Sequence, residues 1–306
     1  MRAGTRSIAA GAVALAACAG MLAGCAPSGA DSELLNPDVV PVNPELATLP
    51  DIAVVPDIPY GEHPLQRLDA CLPPHEEEPP DIRRAAIIVV HGGSWARGDK
   101  ADVAWRAVCQ WLASAGYVAL SVNYRLAPAD RFPAAIEDVQ AAVAWLREEE
   151  QVTRFRIDPA RIGALGGSAG GNLVSLLGTA GSGDHVTGTR VAAVAELSGP
   201  IDLTGLAVTD DFVPVQLEYL GCDVLEECAN AVLASPFYAI DGSDPPFFVA
   251  HSTDEKIPLA QAEILVAGLR AAGVPVEFVT VEGRRHSIAM LSAELKDRIV
   301  GFFDGA

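Results

Sequence analysis

Short apolar runs alternate with stretches of helical periodicity along most of this chain. Ala85–Val90, Tyr117–Val122, Ile162–Leu165, Val191–Leu197, Phe247–His251 and Val276–Val281 are each too short for an ordinary helix, and Ala85–Val90 is continuously apolar and rich in β-branched residues. Such continuous runs are what strands buried on both faces of a parallel sheet require. Ile52–Val55 and Leu65–Leu72 read as two opening strands joined by a turn around Tyr60-Gly61. Between the strands, apolar residues recur at helical spacing. A helix is predicted from Val103 to Ala115, and a second carries Ile136, Val139, Val143 and Leu146 to an end near Glu150. Further helices start at Leu173 and span Pro258–Ala272, where proline occupies a permitted first-turn position. Leu291, Leu295, Ile299 and Phe302 mark a closing helix. The alternation predicts an α/β fold with a mostly parallel central sheet and helices on both faces. Periodicity lapses between about 200 and 240, which reads as a small lid.

The first residues follow a different pattern. Arg2 and Arg6 precede an apolar run, Ser7–Gly24, dominated by alanine and glycine, and the run ends in Leu22-Ala23-Gly24-Cys25. A basic start, a short apolar stretch and small residues before a cleavage point are the marks of an export signal. Leu-Ala-Gly-Cys resembles the lipobox of bacterial lipoprotein signal peptides. That resemblance implies a signal over residues 1–24, a diacylglyceryl group on Cys25, and a membrane partner reached through the lipid. Residues 25–50, with Pro27, Pro37, Pro41, Pro44 and Pro50, read as a tether, and residues 51–306 as the folded domain.

Export changes how the remaining cysteines are read. Cys71, Cys109, Cys222 and Cys228 are an even number in an oxidising compartment. Cys222 and Cys228 are near enough in sequence to clip a surface loop; Cys71 and Cys109 are either a pair or two buried thiols. No Cys/His spacing resembles a zinc site, and no metal or cofactor is expected. The formal charge of −19 argues against nucleic acid as a partner.

The candidate chemistry gathers where predicted strands end, the usual place for it in such a sheet. Gly166-Gly167-Ser168-Ala169-Gly170 matches G-x-S-x-G, the sharp strand-to-helix turn that exposes a serine hydroxyl. Serine needs a base to take its proton, and His286 supplies a suitable residue type. Asp254 can orient the imidazole. Gly92 and Gly93, after His91, leave their N–H groups uncrowded, so that one of them with the N–H of Ala169 can hold an oxyanion. The chain order is Ser, acid, His.

Several stretches resemble the hormone-sensitive-lipase-like carboxylesterases of the α/β-hydrolase fold, in particular their feruloyl-esterase-like branch, BD-FAE. They are His91-Gly-Gly-Ser-Trp95, Asn123-Tyr-Arg-Leu-Ala-Pro128, Phe132-Pro-Ala-Ala-Ile-Glu-Asp138, Gly166-Gly-Ser-Ala-Gly-Gly171 and the segment around Asp254. The resemblance implies a triad of Ser168, Asp254 and His286, an oxyanion hole from Gly92, Gly93 and Ala169, and hydrolysis of short acyl esters without a cofactor. The sequence departs from the family at Ser94, at the two arginines before His286, and before Asp254, where the usual His-Gly pair and one spacer residue are missing, which makes Glu255 the alternative acid. Two other functions fit the same motifs: an arylformamidase or other small amide or peptide hydrolase, and a non-enzymatic surface binding protein on this scaffold. If Cys25 carries the lipid, a Cys25→Ser variant should leave the detergent phase in a phase-partition assay, whereas the natural sequence stays in it.

Overall fold

The computed structural model describes residue 43 and residues 45–74, 82–205 and 209–306. The expected signal peptide, Cys25 and most of the expected tether lie outside the described residues. Eight strands form one sheet in the order β1-β2-β4-β3-β5-β6-β7-β8. The first two, β1 (Ala53–Pro59) and β2 (Arg67–Leu72), form an antiparallel pair, and β2 also runs antiparallel to β4 (Val118–Val122). The rest are parallel: β3 (Arg84–Val90), β5 (Ile157–Gly167), β6 (Ala193–Leu197), β7 (Phe247–Ser252) and β8 (Val276–Val281).

Period-two patterning divides the core between the two faces of the sheet. In β3, Ala86, Ile88 and Val90 join one buried cluster, while Ala85, Ile87 and Val89 join the other. The first cluster packs α2 (Ala134–Leu146), α4 (Ala169–Thr179) and α7 (Leu259–Ala271) through Val139, Val143, Leu173, Val174 and Leu265. The second packs α1 (Val103–Ser114) and α8 (Ala293–Asp304) through Val108, Leu112, Leu295 and Ile299. Each such side chain contributes roughly 1.5–3 kcal/mol by leaving water.

Register aligns the carboxyl ends of the strands. Val90 pairs with Val122 and Gly166, Gly167 with Leu197, Leu197 with Ala250, and Ser252 with Val281. The loops after β3, β5, β6, β7 and β8 therefore open on one edge of the sheet.

Several boundaries differ from the sequence-based expectation. The long helix expected to end near Glu150 is two helices, α2 and α3 (Glu149–Phe155), and α3 stops at Arg156 with a left-handed φ of 53°. β5 begins at Ile157, so Asp158-Pro159 lies inside a strand. α4 begins at Ala169, directly after Ser168. Gly170 and Gly171 are poor helix formers, but packing overrides propensity here, because a Cβ on Gly170 would lie 2.1 Å from the carbonyl oxygen of Val90. Among the described residues, the region from 200 to 240 holds α5 (Val213–Leu220), α6 (Ala229–Leu233) and two 3-10 turns. The end of the expected tether is docked instead of extended. Asn43 donates to the carbonyl of Leu291 at 2.8 Å, Leu46 is buried, and Leu49 exchanges two hydrogen bonds with Gln110.

Both cysteine pairs are disulfides. Cys71–Cys109 joins β2 to α1 with Cα atoms 5.8 Å apart, and Cys222–Cys228 clips the loop between α5 and α6. The 38-residue separation of the first pair sets a chain-entropy contribution of about 4 kcal/mol. Replacing Cys71 and Cys109 together by alanine should lower unfolding stability by about 2–4 kcal/mol in a urea titration, whereas opening the short Cys222–Cys228 loop should cost less.

Candidate active site

Ser168 occupies the corner between β5 and α4, with φ 58° and ψ −125°. This backbone region is strained for a residue with a Cβ, and the surrounding packing sustains it. Gly166 and Gly170 make the corner possible: a Cβ on Gly166 would stand 2.3 Å from the carbonyl oxygen of Gly170. Four hydrogen bonds hold the turn. Ser168 donates its N–H to the carbonyl of Leu197 at 2.9 Å and accepts from Asn172 N–H at 3.1 Å, while the Asn172 amide donates to Pro200 and Ala234.

Ala169 is the first residue of α4, so its N–H has no acceptor within the helix. Gly92 lies against the serine; a Cβ on it would be 3.1 Å from that of Ser168. The chain then reverses through left-handed φ at Gly93, Ser94 and Trp95. Ser94, the departure from an expected glycine, sits in this left-handed run at φ 56°. Behind the loop, Lys100 N–H donates to Asn123 Oδ1 at 2.6 Å and Asn123 Nδ2 donates to Asp99 at 2.8 Å. Arg125 forks onto Asp138, and Tyr124 OH donates to the carbonyl of His91 at 3.0 Å. The His91 ring stacks on Tyr124 at 4.4 Å and its Nδ1 donates to the Gly92 carbonyl at 2.8 Å. Burial lowers the pKa of His91, which keeps it neutral. These motif residues brace the loop and leave proton transfer to others.

The acid differs from the expected one. Asp254 bonds through its backbone, N–H to the carbonyl of Gly283 at 2.9 Å, and its carboxylate turns outward. There it is 74% exposed, 3.7 Å from an equally exposed Arg284. Glu255, the next residue, turns inward, and its side chain is 0% exposed. Its Oε2 bonds Nδ1 of His286, and its Oε1 accepts from the Ser198 hydroxyl at 2.5 Å and from Ser252 N–H at 3.4 Å. Asp254 is thus corrected to Glu255 as the carboxylate that meets the imidazole. The signal lay in the sequence: counted from His251 in β7, the missing spacer residue is restored when the count runs on to position 255.

His286 follows β8. Its neighbour Ser287 touches the end of β5, since a Cβ on Gly167 would fall on Ser287 Oγ. Nε2 of His286 is buried and, among the described residues, has no hydrogen-bond partner. The second histidine near Glu255, His251, donates Nε2–H to the carbonyl of Ile257 at 2.8 Å, and burial lowers its pKa.

Trp95 and Asp202 take structural places. Trp95 is fully buried and stacks on Tyr219 of α5 at 4.2 Å, joining the oxyanion loop to the lid. Asp202 accepts from Thr204 N–H at 2.7 Å and its own N–H donates to Gln261 at 2.7 Å, which fixes the lid base. Ser198 and Glu196 escaped the sequence reading, although both stand at a strand end. Glu196 is wholly buried, accepts from Gly199 N–H, and among the described residues leaves Oε2 without a partner.

Residues 68–269 match the BD-FAE family. The chain belongs to it. Esterase LipC of Mycobacterium tuberculosis is 32% identical over 246 residues, which cover 76% of this chain and 59% of that protein. The chain thus spans about three-fifths of the length of that relative. Among solved structures, a truncated carbohydrate esterase from gut microbiota superposes with a TM-score of 0.74 at 23% identity, over 85% of this chain and 98% of that one. An acetyl ester-xyloside bifunctional hydrolase from Caldicellulosiruptor lactoaceticus gives 0.65 at 25% identity, over 78% and 88%. Strand order and these likenesses agree on the α/β-hydrolase fold.

Burial pushes the pKa of Glu196 up to about 8, the Gly199 N–H opposes this, and the Glu255 charge adds to it. An unfolded chain ionises glutamate near about 4.3. Between those values the folded state keeps a proton that the unfolded state releases, so stability falls as pH rises through the window. Glu196→Gln keeps an acceptor for Gly199. It should leave the Tm unchanged near about pH 4 and raise it at about pH 8, at about 2–4 °C per kcal/mol.

Proposed function

We propose that this protein is a serine carboxylesterase that hydrolyses short-chain, acetyl-type esters through an acyl-enzyme. The observation that carries the reading is the His286–Glu255 pair, wholly buried on the acid side, brought by a neighbouring residue against the corner that bears Ser168. Ser168 attacks the ester carbonyl while His286 Nε2 takes its proton. Glu255 holds the ring by Nδ1 and stabilises the imidazolium that forms. Ala169 N–H, with an N–H of Gly92 or Gly93, receives the oxyanion, each donor worth about 3–4 kcal/mol in the transition state. The imidazolium then returns its proton to the leaving alkoxide, and water repeats the sequence on the acyl-enzyme. Family membership and the esterase named among the relatives support ester over amide substrates. The short lid, drawn against Trp95 by Tyr219, supports a small acyl group.

The same reading places the domain outside the cytoplasm on a lipid carried by Cys25. Two disulfides are in keeping with an oxidising compartment.

With p-nitrophenyl acetate, Ser168→Ala should lose at least about 10³-fold in kcat/KM and escape labelling by a fluorophosphonate. Glu255→Gln should lose about 10²–10⁴-fold, whereas Asp254→Asn should stay within about twofold, since exposed pairs contribute little. Along an acyl series kcat/KM should peak at acetyl to butyryl; full activity of Ser168→Ala, or a preference for matched amides, would remove the proposal.

A further inference from the structure

The strand between the serine and the acid ends in a residue that no motif drew out. Ser198 follows β6 with a left-handed φ of 56° and donates its N–H to the carbonyl of Ala250 at 3.0 Å. The next residue, Gly199, is pinned by Glu196 and packs against Gly171 of α4. This fixes where the Ser198 hydroxyl points. It has one proton and lone pairs to spare. The proton goes to Oε1 of Glu255 at 2.5 Å, and the oxygen accepts from the N–H of Ser287 at 3.0 Å. One hydroxyl therefore joins the acid to the backbone of the residue after His286.

The other groups at Oε1 are weaker partners. Ser252 N–H stands 3.4 Å away, and His251 Nε2, at 3.3 Å, is already committed to the Ile257 carbonyl. Oε2 is taken by His286. On the reading of Glu255 and His286 given above, we propose that Ser198 is a positioning residue. Its hydroxyl sets the rotation of the Glu255 carboxylate and holds the His286 segment at the height where Oε2 meets Nδ1. The charged and titratable groups around it are Glu255, His286, His251 and Glu196.

The test uses the whole chain with p-nitrophenyl acetate. Ser198→Gly removes the hydroxyl and relaxes a φ that glycine adopts freely; Ser198→Ala is measured beside it. Both should lower kcat about 10–100-fold with KM within about threefold, while the Tm of the glycine variant stays close to the natural one. The acid limb of kcat/KM should move to higher pH by roughly half a unit or more, because a carboxylate deprived of a donor holds protons more tightly, its own and that of its partner. A glycine variant with the natural rate, or a slowed one with the natural pH profile, would overturn the proposal. Glu255→Gln in the same series separates two failures. If it is inactive while Ser198→Gly is fully active, Ser198 alone is wrong; if it keeps full activity, the assignment of Glu255 falls and Ser198 with it.

Discussion

A carboxylate taken wholly out of water must find donors for both oxygens or give up its charge. Glu255 meets that demand with donors from three places: the hydroxyl of Ser198 after β6, the N–H of Ser252 at the end of β7, and the imidazole of His286 beyond β8. Of these donors only Ser252 is near Glu255 in sequence. The register of the parallel strands, which aligns their carboxyl ends, is what brings them within reach. The site thus depends on the sheet in a direct sense: a slip of β7 against β6 would leave a buried charge without its partners.

The serine corner is the complementary demand. Its left-handed backbone is costly, and it persists because β5, α4 and the loop after β6 leave no room for the chain to relax. The glycines at 166 and 170 are answers to contact distances, with carbonyl oxygens standing where side chains would otherwise begin. Around this corner the protein spends its polar groups on support. Asn123, Arg125, Tyr124 and His91 fix the oxyanion loop from behind, and the Trp95–Tyr219 stack fastens the lid to the same loop. The lid and the loop that carries Gly92 thus share one packed aromatic contact.

Much of this was legible in the residues themselves. Buried strands announce themselves as β-branched runs and surface helices as three-to-four spacing, because each pattern is the local imprint of which faces lose water. Ser168 was readable for a similar reason: a strained corner needs small neighbours, and small neighbours show in sequence. His286 was found as the residue type a serine requires. The choice between Asp254 and Glu255 was another matter. Two adjacent carboxylates differ in sequence by one position, yet the first lies exposed beside Arg284 while the second is held inward by Ser198, Ser252 and His286.

Ser198 marks the far limit of local information. A serine before a glycine is an ordinary turn residue until strand order puts it between the elbow and the acid, and nothing in its neighbours says that it will touch residue 255 or 287. The docking of Asn43 on the segment before α8 is similar, since a proline-rich stretch carries no record of the distant surface that receives it. Composition and periodicity settled the elements, their class and the kinds of group available for chemistry, because those follow from each residue's own size, polarity and backbone preference. Which carboxylate faces the imidazole, and which hydroxyl steadies it, was decided by contacts between segments tens of residues apart, which only the folded chain brings into being.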